Sequence, residues 1–440
     1  MSEGSPFVVV GAGLGGALMT SILAQSGRPV RVLERRDDPR RGAADAGRSI
    51  NLAISARGLN ALDRIGAREA VLRIGIPLRG RMIHPVKGAL AFQPYGTGGQ
   101  AINSVSRADL NRLLLDAAES GGATIEFGRR CTGVDLERRG ALTVDAGTGD
   151  GERFHPGVVI GADGAYSAVR GPLQRRDRHD FSQAYLGHGY KELVIPPGPG
   201  GAHVLERHAL HIWPRGGFMM MAMANLDGSF TVTLYLPWEG PNGFGELDSA
   251  VAARRFFEAQ FPDAIPLLPD LERDFAAHPT GSLVTVRNGS WHAGGDVVLL
   301  GDAAHAIVPF FGQGANAAFE DCLALEAALA RFPADRGVAF RAYEAERRPQ
   351  ADAIADLALA NFHEMRDHVA SPLFRLEKRG ERILHRLFPS WFVPLYTMIS
   401  FTLIPYAAAR DRARRQSRVV RAALAGTVLL LLAMIRVLLG

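Results

Sequence analysis

The sequence predicts an α/β protein with a parallel sheet, a mixed β-sheet domain interleaved with it, and a C-terminal helical region. Three short apolar runs each end near an acidic residue and a turn, a pattern typical of parallel strands whose carboxyl ends line a ligand. Residues 76–100 and 176–285 contain further strand-like runs, which predict the second sheet. A long helical pattern begins near Asp335 and predicts the helical region.

The first apolar run, residues 7–10, leads into GAGLGG and a helical pattern, and a second strand-like run ends at Glu34. Gly11, Gly13 and Gly16 therefore have G-x-G-x-x-G spacing between a strand and a helix. The first glycine permits a tight turn, the second permits close approach of a pyrophosphate, and the third permits close helix–strand packing. Glu34 suits the hydroxyls of a ribose and would repel a 2′-phosphate. A plain tight turn is the alternative, but this context predicts a Rossmann-like dinucleotide site.

Two later runs repeat the pattern. Residues 158–161 lead to Asp163 and a predicted short helix over 165–170, and residues 297–300 lead to Asp302. One such aspartate would be an ordinary helix cap. Three acidic strand ends together predict one extended cofactor along the edge of a parallel sheet. Because the chain has one G-x-G-x-x-G, a nicotinamide nucleotide is expected to visit without a Rossmann domain of its own.

The bulk composition sets the class of protein. The chain has 440 residues, 47% of them hydrophobic, which suffices for two or three packed domains. Only Cys131 and Cys322 are present, so we expect no disulfide framework and no metal site built on cysteine. The early Glu3 and the lack of a basic region before the first apolar run predict a first strand rather than a signal peptide. A reducing, cytoplasmic compartment fits these features.

The net charge of +5 is concentrated in the tail. Residues 410–440 contain seven arginines and one acid, Asp411, so the rest of the chain is nearly neutral and no nucleic-acid partner is predicted. An uncharged apolar stretch, residues 422–435, precedes Arg436. It is short for a membrane-spanning helix, but a basic cluster beside an apolar helix suits an anionic cytoplasmic membrane face. Peripheral or anchored membrane association and a helix docked on the enzyme or on a partner both stay open.

Several separated blocks resemble one family. GAGLGG with Glu34, GADGAYSAVR and GDAAHAIVPFFGQG resemble the three signatures of single-domain flavin monooxygenases of the aromatic-hydroxylase class. The stretch from Arg48 to Gly58 is similar to the kynurenine 3-monooxygenase family, as are GRMIHPVKGALAFQPYG, INSVSRADLN and ANFHEMRDHV. The likeness extends from about residue 6 to about residue 400.

The resemblance implies an enzyme with tightly but non-covalently bound FAD, NADPH as a transient co-substrate, and O2. It implies hydroxylation of L-kynurenine to 3-hydroxy-L-kynurenine through a flavin C4a-hydroperoxide, in tryptophan degradation or NAD biosynthesis. The expected domain order is FAD-binding segments 1–75, 101–175 and 286–334, substrate-domain segments 76–100 and 176–285, a helical region 335–409, and the tail 410–440.

The resemblance also assigns residues to the flavin. A helix beginning near Gly314 would point its positive end at the N1–C2=O edge of the isoalloxazine, where reduced flavin carries negative charge. Arg107 follows Ser106, a plausible helix N-cap, and a plain helix-start cation is less favourable at that position. His305 is either a site residue or a core histidine. The implied cofactor-binding residues are Gly11, Gly13, Leu14, Gly16, Glu34, Arg35, Arg107, Asp163, Asp302, Gly312, Gln313, Gly314, Ala315 and Asn316.

A substrate clamp is predicted on a hairpin. Residues 79–84 and 89–92 read as two strands, and a turn centred near Lys87 places Arg81 opposite Gln93, with Tyr95 as a diagonal neighbour. A guanidinium fork and a phenol together suit one carboxylate. Spacing alone favours a solvated surface arginine. The resemblance favours the clamp, because the family's carboxylate-binding Arg and Tyr fall on these positions.

Further residues are assigned by the resemblance alone. Asn361 and Tyr396 would complete the polar clamp, and Met365 would pack on the substrate ring; without the resemblance, Met365 reads as core and Asn361 as a surface residue. The strands near residues 218–223 and 230–236 would form the pocket floor. No general base is assigned. The residues expected to shield the flavin from water are Pro309, Phe310 and Phe311, the last standing where some relatives carry a histidine.

Two other functions stay open at this stage. One is a related flavin hydroxylase or epoxidase that acts on another aromatic compound or on a lipid, which the apolar tail would suit. The other is a flavin-binding membrane adaptor without turnover. A buried arginine beside an acyl chain would be costly, which favours an amino-acid substrate.

Overall fold

The fold was obtained as a computed structural model, which describes residues 6–41, 51–96, 98–145, 151–368 and 371–439. The first residues of the predicted motif, from Arg48 to Ile50, lie outside these ranges. The strands, in chain order, are β1 (Phe7–Val10), β2 (Val30–Leu33), β3 (Asn51–Ile54), β4 (Gly75–Leu78), β5 (Gly80–Ile83), β6 (Ala91–Pro94), β7 (Ile102–Ser106), β8 (Thr124–Glu126), β9 (Arg130–Asp135), β10 (Ala141–Asp145), β11 (Glu152–Phe154), β12 (Val158–Gly161), β13 (Phe181–Ile195), β14 (Ala209–Pro214), β15 (Met219–Ala224), β16 (Phe230–Pro237), β17 (Gly281–Asn288), β18 (His292–Ala293) and β19 (Val297–Leu299).

The helices cover the sheets and form the C-terminal region. In chain order they are α1 (Leu14–Gln25), α2 (Ala56–Asp63), α3 (Arg68–Arg73), α4 (Arg107–Ser120), α5 (Arg170–Gln174), α6 (Ala250–Gln260), α7 (Leu271–Ala277), α8 (Asp302–His305), α9 (Gly314–Arg331), α10 (Arg336–His363), α11 (Pro372–Leu387), α12 (Leu395–Phe401) and α13 (Tyr406–Leu439). One π-helical turn, Glu364–His368, follows α10.

The three predicted strand ends meet in one sheet. Its six strands have the order β18-β19-β12-β1-β2-β8, and β19, β12, β1 and β2 run parallel. The strands are short β-branched runs that are buried on both faces, as expected when helices cover a parallel sheet. Their parallel direction brings Glu34, Asp163 and Asp302 to the same edge. The predicted parallel sheet is therefore confirmed.

A second, seven-stranded sheet has the order β17-β13-β16-β15-β14-β5-β6. It is mixed, because β5 runs parallel to β14 while the other neighbours are antiparallel. The register of β5 and β6 places Arg81 opposite Gln93, as the hairpin pattern predicts. The second strand of the hairpin begins at Ala91, two residues later than expected. A long loop with Gly88 in the left-handed region (φ 101°) joins the strands.

Two smaller sheets complete the strands. One has the order β3-β7-β4, and the other, β11-β10-β9, is a separate antiparallel sheet. Two hydrophobic cores correspond to the two large sheets. The first surrounds the parallel sheet, and the second packs the seven-stranded sheet against α10, α12 and the start of α13.

One predicted helix is misplaced. The sequence pattern predicts a helix over residues 165–170, but α5 begins only at Arg170. The Asp163 carboxylate accepts hydrogen bonds from the hydroxyl of Ser167 (2.5 Å) and from the backbone N–H groups of Ala168 (2.7 Å) and Val169 (3.2 Å). These bonds hold the segment in turns. The Asp163 carboxylate accepts hydrogen bonds from backbone N–H groups that would otherwise bind carbonyls within a helix.

The C-terminal helices follow the predicted pattern. Asp335 caps α10 by accepting a hydrogen bond from the N–H of Val338 (3.0 Å), so the predicted start near residue 335 is correct. The first part of α13 packs on the protein, since Gln416 is buried and its amide donates to the carbonyl of Trp391 (2.6 Å). Beyond it, residues 417–419 and 421–425 are exposed, and Val420 is half-buried. Within the described residues, we find no helix that is both long and apolar enough to cross a bilayer.

Candidate active site

A deep cleft of about 640 Å³ opens between the two large sheets. Its walls come from the carboxyl edge of the parallel sheet, from the beginnings of α1, α4 and α9, and from one face of β15 and β16. Strand ends supply backbone and carboxylates, and helix beginnings supply unpaired N–H groups and positive dipole ends. This combination suits an extended ligand with an anionic centre.

The glycine loop between β1 and α1 leaves room for such a ligand. A Cβ on Gly11, whose φ is 103°, would stand 2.5 Å from the carbonyl oxygen of Ala162. A Cβ on Gly16 would stand 2.0 Å from the carbonyl oxygen of Gly11. At Gly13, in contrast, nothing lies within 4 Å of a Cβ position, and the residue lines the cleft. Gly11 and Gly16 are thus required by packing, and Gly13 leaves open the space that a pyrophosphate would take.

Glu34 stands at the end of β2, where the sequence predicts it. Its side chain is 6% exposed, and its carboxylate accepts a hydrogen bond from the N–H of Ala12 (2.8 Å) and another from the guanidinium of Arg36 (2.9 Å). Although burial works against it, Arg36 holds the pKa of the Glu34 carboxyl below its usual value. The carboxylate is therefore ionised and fixed at the edge of the cleft. Arg35 and Leu14 line the same wall.

Asp302 and Asp163 line the middle of the cleft. Asp302 begins α8, and its side chain is exposed to the open space of the cleft. The protein that surrounds this space raises the pKa of its carboxyl, with Arg107 acting in the opposite direction. Burial also raises the pKa of Asp163, which is largely engaged in the turn before α5. Arg107 starts α4 behind its N-cap Ser106 and lines the cleft.

The beginning of α9 faces the cleft through its backbone and small residues. Gly312 (φ 65°), Gly314 and Ala315 line the cavity. The side chains of Gln313 and Asn316 do not: both are buried behind the loop. Their side chains therefore support the loop, and their assignment as cofactor-binding residues stays a prediction.

The two buried amides have defined partners. The Gln313 side-chain oxygen accepts a hydrogen bond from the hydroxyl of Tyr406 (2.9 Å). Asn316 accepts from the N–H groups of Ser55 (3.0 Å) and Gly58 (3.1 Å) and donates to the carbonyls of Ala53 and Gly312 (2.8 Å each). Asn316 thus ties the loop before α9 to β3 and α2.

The hairpin residues predicted as a clamp meet at the other end of the cleft. Arg81 and Tyr95 are each 8% exposed and line the cavity together with Tyr396. The rings of Tyr95 and Tyr396 stack with centroids 4.8 Å apart, and the guanidinium carbon of Arg81 lies 5.2 Å from the Tyr396 ring centre. The surface-arginine alternative is therefore wrong.

Polar atoms of this cluster lack partners. The Nε of Arg81 and the hydroxyl of Tyr95 are buried and have no hydrogen-bond partner within the described part of the chain. The nearest acid is Glu364, whose Oε1 lies 3.5 Å from Nη1 of Arg81. Although burial disfavours its charge, Tyr95 and Glu364 keep the pKa of Arg81 above its usual value. Burial raises the pKa of Tyr95 well above its usual range, so the phenol stays a donor. The buried guanidinium of Arg81 and the buried hydroxyl of Tyr95 are therefore suited to bind an anion.

The remaining predicted residues shape the apolar part of the pocket. Pro309, Phe310, Phe311 and Met365 line the cleft, and the Phe311 ring stacks near Tyr396, with centroids 5.6 Å apart. Asn361 does not line the main cleft. Its amide donates to the carbonyl of Phe310 (2.6 Å) and approaches the sulfur of Met365 (3.3 Å). Asn361 lines a smaller adjoining cavity that shares the clamp residues.

Sequence reasoning missed several lining residues. The strand pattern predicts a floor at β15 and β16 but not which side chains face upward. Alternation along the two strands decides it: the floor residues are Met221, Met223, Thr231, Thr233 and Tyr235. Glu364 was also missed, since it follows the end of α10 in a π-helical turn, a feature that often marks functional sites but that sequence patterns do not reveal.

His305 does not belong to the cleft. Its ring stacks on Trp291 (4.9 Å), and its Nε2 lies 2.5 Å from the Asp321 carboxylate. Although burial opposes the charge, Asp321 raises the pKa of His305. Of the two alternatives, the core histidine is correct. No histidine lines the main cleft in the part of the chain that the structure describes.

The residues present fit FAD. The open position at Gly13 suits a pyrophosphate, and the carboxylate of Glu34 suits a ribose. The beginning of α9 suits the electron-rich edge of the isoalloxazine ring. The unpaired donors at Arg81 and Tyr95 lie at the opposite end, where a second, anionic molecule would meet that ring.

Comparison with known proteins agrees with this geometry. The family model described as "FAD binding domain" matches residues 5–358. In the solved structures, 2-methyl-3-hydroxypyridine-5-carboxylic acid oxygenase has a similar fold, with a TM-score of 0.70 at 21% identity, covering 87% of this chain and 98% of that one. The tetracycline destructase Tet(51) has a TM-score of 0.62 at 18% identity, covering 88% and 98%. Fold and cleft together define an FAD-dependent monooxygenase.

Curated relatives narrow the class. The chain is 52% identical over 404 residues to the kynurenine 3-monooxygenase of Myxococcus xanthus, covering 91% of this chain and 87% of that protein. It is 45% identical to the kynurenine 3-monooxygenase of Salinispora arenicola (96% and 93% covered) and 43% identical to that of Dictyostelium discoideum (92% and 90% covered). The chain belongs to the kynurenine 3-monooxygenase family.

Proposed function

We propose that this protein hydroxylates L-kynurenine to 3-hydroxy-L-kynurenine. The balanced reaction is L-kynurenine + NADPH + H⁺ + O2 → 3-hydroxy-L-kynurenine + NADP⁺ + H2O. Bound FAD supplies the redox chemistry, accepting the hydride of NADPH and activating O2. The proposal depends on two buried donor groups without a hydrogen-bond partner in the described residues, the Nε of Arg81 and the hydroxyl of Tyr95, at the end of the FAD cleft in a chain of this family.

The clamp binds the carboxylate of the substrate. The guanidinium of Arg81 offers a planar fork, and the phenol of Tyr95 stays protonated because burial raises its pKa. Glu364, 3.5 Å from Arg81 and partly exposed, keeps the cation neutralised before an anion arrives. The stacked ring of Tyr396 closes the other side. The amino-acid end is thereby held away from the flavin, so that the aniline ring reaches it.

The ring end of the pocket excludes water. Phe310, Phe311, Pro309 and Met365 form an apolar wall beside the beginning of α9, and Asn361 fixes this wall by holding the Phe310 carbonyl. A dry wall protects reactive oxygen species from breakdown by water. The aniline nitrogen of kynurenine already activates the neighbouring ring carbon, so the reaction needs no strong base.

One experiment separates this proposal from its alternatives. NADPH oxidation by the purified FAD-loaded protein is measured with and without L-kynurenine, and the product is identified by mass. Stimulation with a gain of one oxygen atom in the product supports kynurenine hydroxylation. Stimulation only by another aromatic compound or by a lipid would indicate a related hydroxylase or epoxidase, and no NADPH consumption under any condition would indicate a flavin-binding adaptor.

We also propose that the tail associates with an anionic membrane surface. The exposed part of α13 combines cations with apolar side chains, Val419 (52% exposed) and Leu424 (61%). The start of the helix is docked on the enzyme, where Gln416 is buried, and the part that we assign to the membrane follows it, where residues 417–419 and 421–425 are exposed. The exposed arginines are Arg414, Arg415, Arg418 and Arg421.

Sedimentation with vesicles tests the membrane proposal. The full-length protein should sediment with phosphatidylserine-containing vesicles at low salt and less so at high salt, because each basic residue near such a surface contributes about 1 kcal/mol. A variant with Arg414, Arg415 and Arg418 changed to Gln should stay in the supernatant and keep its FAD. Equal sedimentation of both proteins, or equal binding to neutral vesicles, would contradict the proposal.

A further inference from the structure

A buried arginine of the family-like motif has no part in the cleft. Arg57, the second residue of α2, is fully buried, with 0% of its surface exposed. Its Nε donates to the carbonyl of Ile399 (2.7 Å), and its Nη2 donates to the carbonyls of Met398 (3.4 Å) and Ile404. All three acceptors lie more than 340 residues away in sequence. The Arg57 guanidinium thus binds backbone carbonyls of the C-terminal segment.

The acceptors occupy a part of the chain that needs such a partner. Met398 and Ile399 are in the last turn of α12, where carbonyls lack backbone partners inside the helix. The Met398 carbonyl also accepts a hydrogen bond from the hydroxyl of Thr402 (2.6 Å). Ile404 precedes α13 by two residues. One guanidinium therefore joins the end of one helix to the beginning of the next, and a cation is favourable at a helix C-terminus.

The segment that Arg57 holds reaches the cleft at two points. Tyr396, in the first turn of α12, lines the cleft beside the substrate clamp. Tyr406, the first residue of α13, is fully buried, and its hydroxyl donates to the side-chain oxygen of Gln313 (2.9 Å). The guanidinium carbon of Arg57 lies 4.1 Å from the centre of the Tyr406 ring, so the two side chains pack directly. Gln313 in turn belongs to the loop whose neighbours Gly312 and Gly314 face the flavin space.

The other side of Arg57 is tied to the flavin helix. Its Nη1 pairs with Glu320 (2.7 Å) on α9, and Glu320 also pairs with Arg347 (3.2 Å) of α10. Glu320 has two cationic partners, so that its charge stays paired when one is altered. Arg57 consequently joins two parts of the protein. One is α9, which starts at the flavin loop, and the other is the segment that carries Tyr396.

We propose that Arg57 and Tyr406 are positioning residues that set the flavin loop and the substrate clamp together. Arg57 holds the junction between α12 and α13. Through its hydrogen bond, Tyr406 then fixes the position of Gln313, and α12 fixes the position of Tyr396. The effect of these two residues on the flavin loop does not depend on the identity of the substrate. Their effect on the substrate clamp rests on the proposed kynurenine hydroxylation. The C-terminal segment is on this view a part of the active site and not only a covering helix.

Two variants test this coupling without removing a cleft residue. Tyr406→Phe keeps the ring packed on Arg57 and removes only the hydroxyl that holds Gln313. We expect FAD to bind the apoprotein about threefold to tenfold more weakly, in line with the loss of one buried hydrogen bond. The melting temperature of the apoprotein should fall only slightly, because one hydrogen bond is lost and the ring stays packed. Arg57→Lys keeps the charge but offers no planar fork for three carbonyls. We expect both weaker FAD binding and a rise of about tenfold or more in the KM for L-kynurenine, with more NADPH consumed per product formed.

Arg64→Met is the matched control. Arg64 follows the same helix α2 and pairs with Glu326 of the same helix α9, but on the surface and without contact to the C-terminal segment. FAD affinity and KM of this variant should equal those of the unaltered protein. Wild-type FAD affinity in a folded Tyr406→Phe protein would overturn the flavin part. A wild-type KM in Arg57→Lys, or the same changes in Arg64→Met, would overturn the positioning role.

The readouts keep the two proposals apart. FAD titration of apoprotein, followed by quenching of flavin fluorescence, reports the loop without any turnover. Should Arg57→Lys fail to fold, Tyr406→Phe alone decides. Should L-kynurenine not be hydroxylated at all, the FAD titration still supports or overturns the flavin part, and the failure then belongs to the proposed function.

Discussion

Replacing Arg81 by methionine removes the charge from the substrate clamp while keeping an unbranched side chain of similar length. The structure predicts that folding tolerates the change, because Arg81 has one ionic contact, with Glu364, and that acid is partly exposed and lies 4.0 Å from Lys378. The consequence should fall on substrate binding. FAD content should stay unchanged, since Arg81 is at the end of the cleft opposite the glycine loop.

The magnitude follows from the hydrogen bonds that are lost. A carboxylate held by the guanidinium makes two charge-assisted hydrogen bonds, each contributing about 1.5–3 kcal/mol, or about 3–6 kcal/mol together. That corresponds to roughly a hundredfold to ten-thousandfold in affinity. Tyr95 stays in place and retains part of the contact, so we expect the lower end, a rise in the KM for L-kynurenine of about a hundredfold.

The assay compares two substrates. Steady-state NADPH oxidation and product formation are measured with L-kynurenine and with its decarboxylated analogue, for the unaltered protein and for Arg81→Met. The difference between the proteins should largely disappear with the analogue, because the group that Arg81 binds is missing. Arg79→Met, two residues earlier and exposed, is the control and should behave as the unaltered protein. Equal losses with both substrates, or no loss with L-kynurenine, would refute the carboxylate clamp.

Three further predictions concern the flavin cleft and its support. Gly13→Ala should weaken FAD binding in a titration of apoprotein without lowering the melting temperature, since its methyl group would occupy only the open cleft; a large drop in melting temperature would contradict this. Phe311→Ala should raise the hydrogen peroxide formed per NADPH, because water would reach the flavin; an unchanged ratio would count against water exclusion. His305→Gln should remove a pH dependence of unfolding: Asp321 raises the pKa of His305, so its stabilisation is complete below the ordinary histidine pKa and is lost as pH rises through the raised value. Equal slopes of stability against pH in both proteins would show that this pair is not the cause.

The sequence predicted the parts of the site that depend on local pattern. Glycine spacing and the order strand–turn–helix are local, so Gly11, Gly13 and Gly16 were placed correctly, as was Glu34 at the end of β2. The alternation of a hairpin also predicted the pairing of Arg81 with Gln93. In each case a few neighbouring residues decide the geometry.

Other placements depended on competition between partners. The motif around Gln313 suggests an amide at the flavin, but the amide turns away because the hydroxyl of Tyr406, 93 residues later, binds it. The pattern after β12 suggests a helix, but the Asp163 carboxylate takes the N–H groups that a turn presents to it. Neither outcome is visible without the packed partner.

Local sequence thus determined which segment forms the glycine loop and which hairpin carries a cation, since steric limits on glycine and the period of a strand act within a few residues. Only the tertiary structure decided that Glu364 faces Arg81, 283 residues apart, and that Arg57 grips the chain near residue 400. Such contacts arise when separate elements bury their apolar faces and their remaining polar groups must find partners in the space left between them.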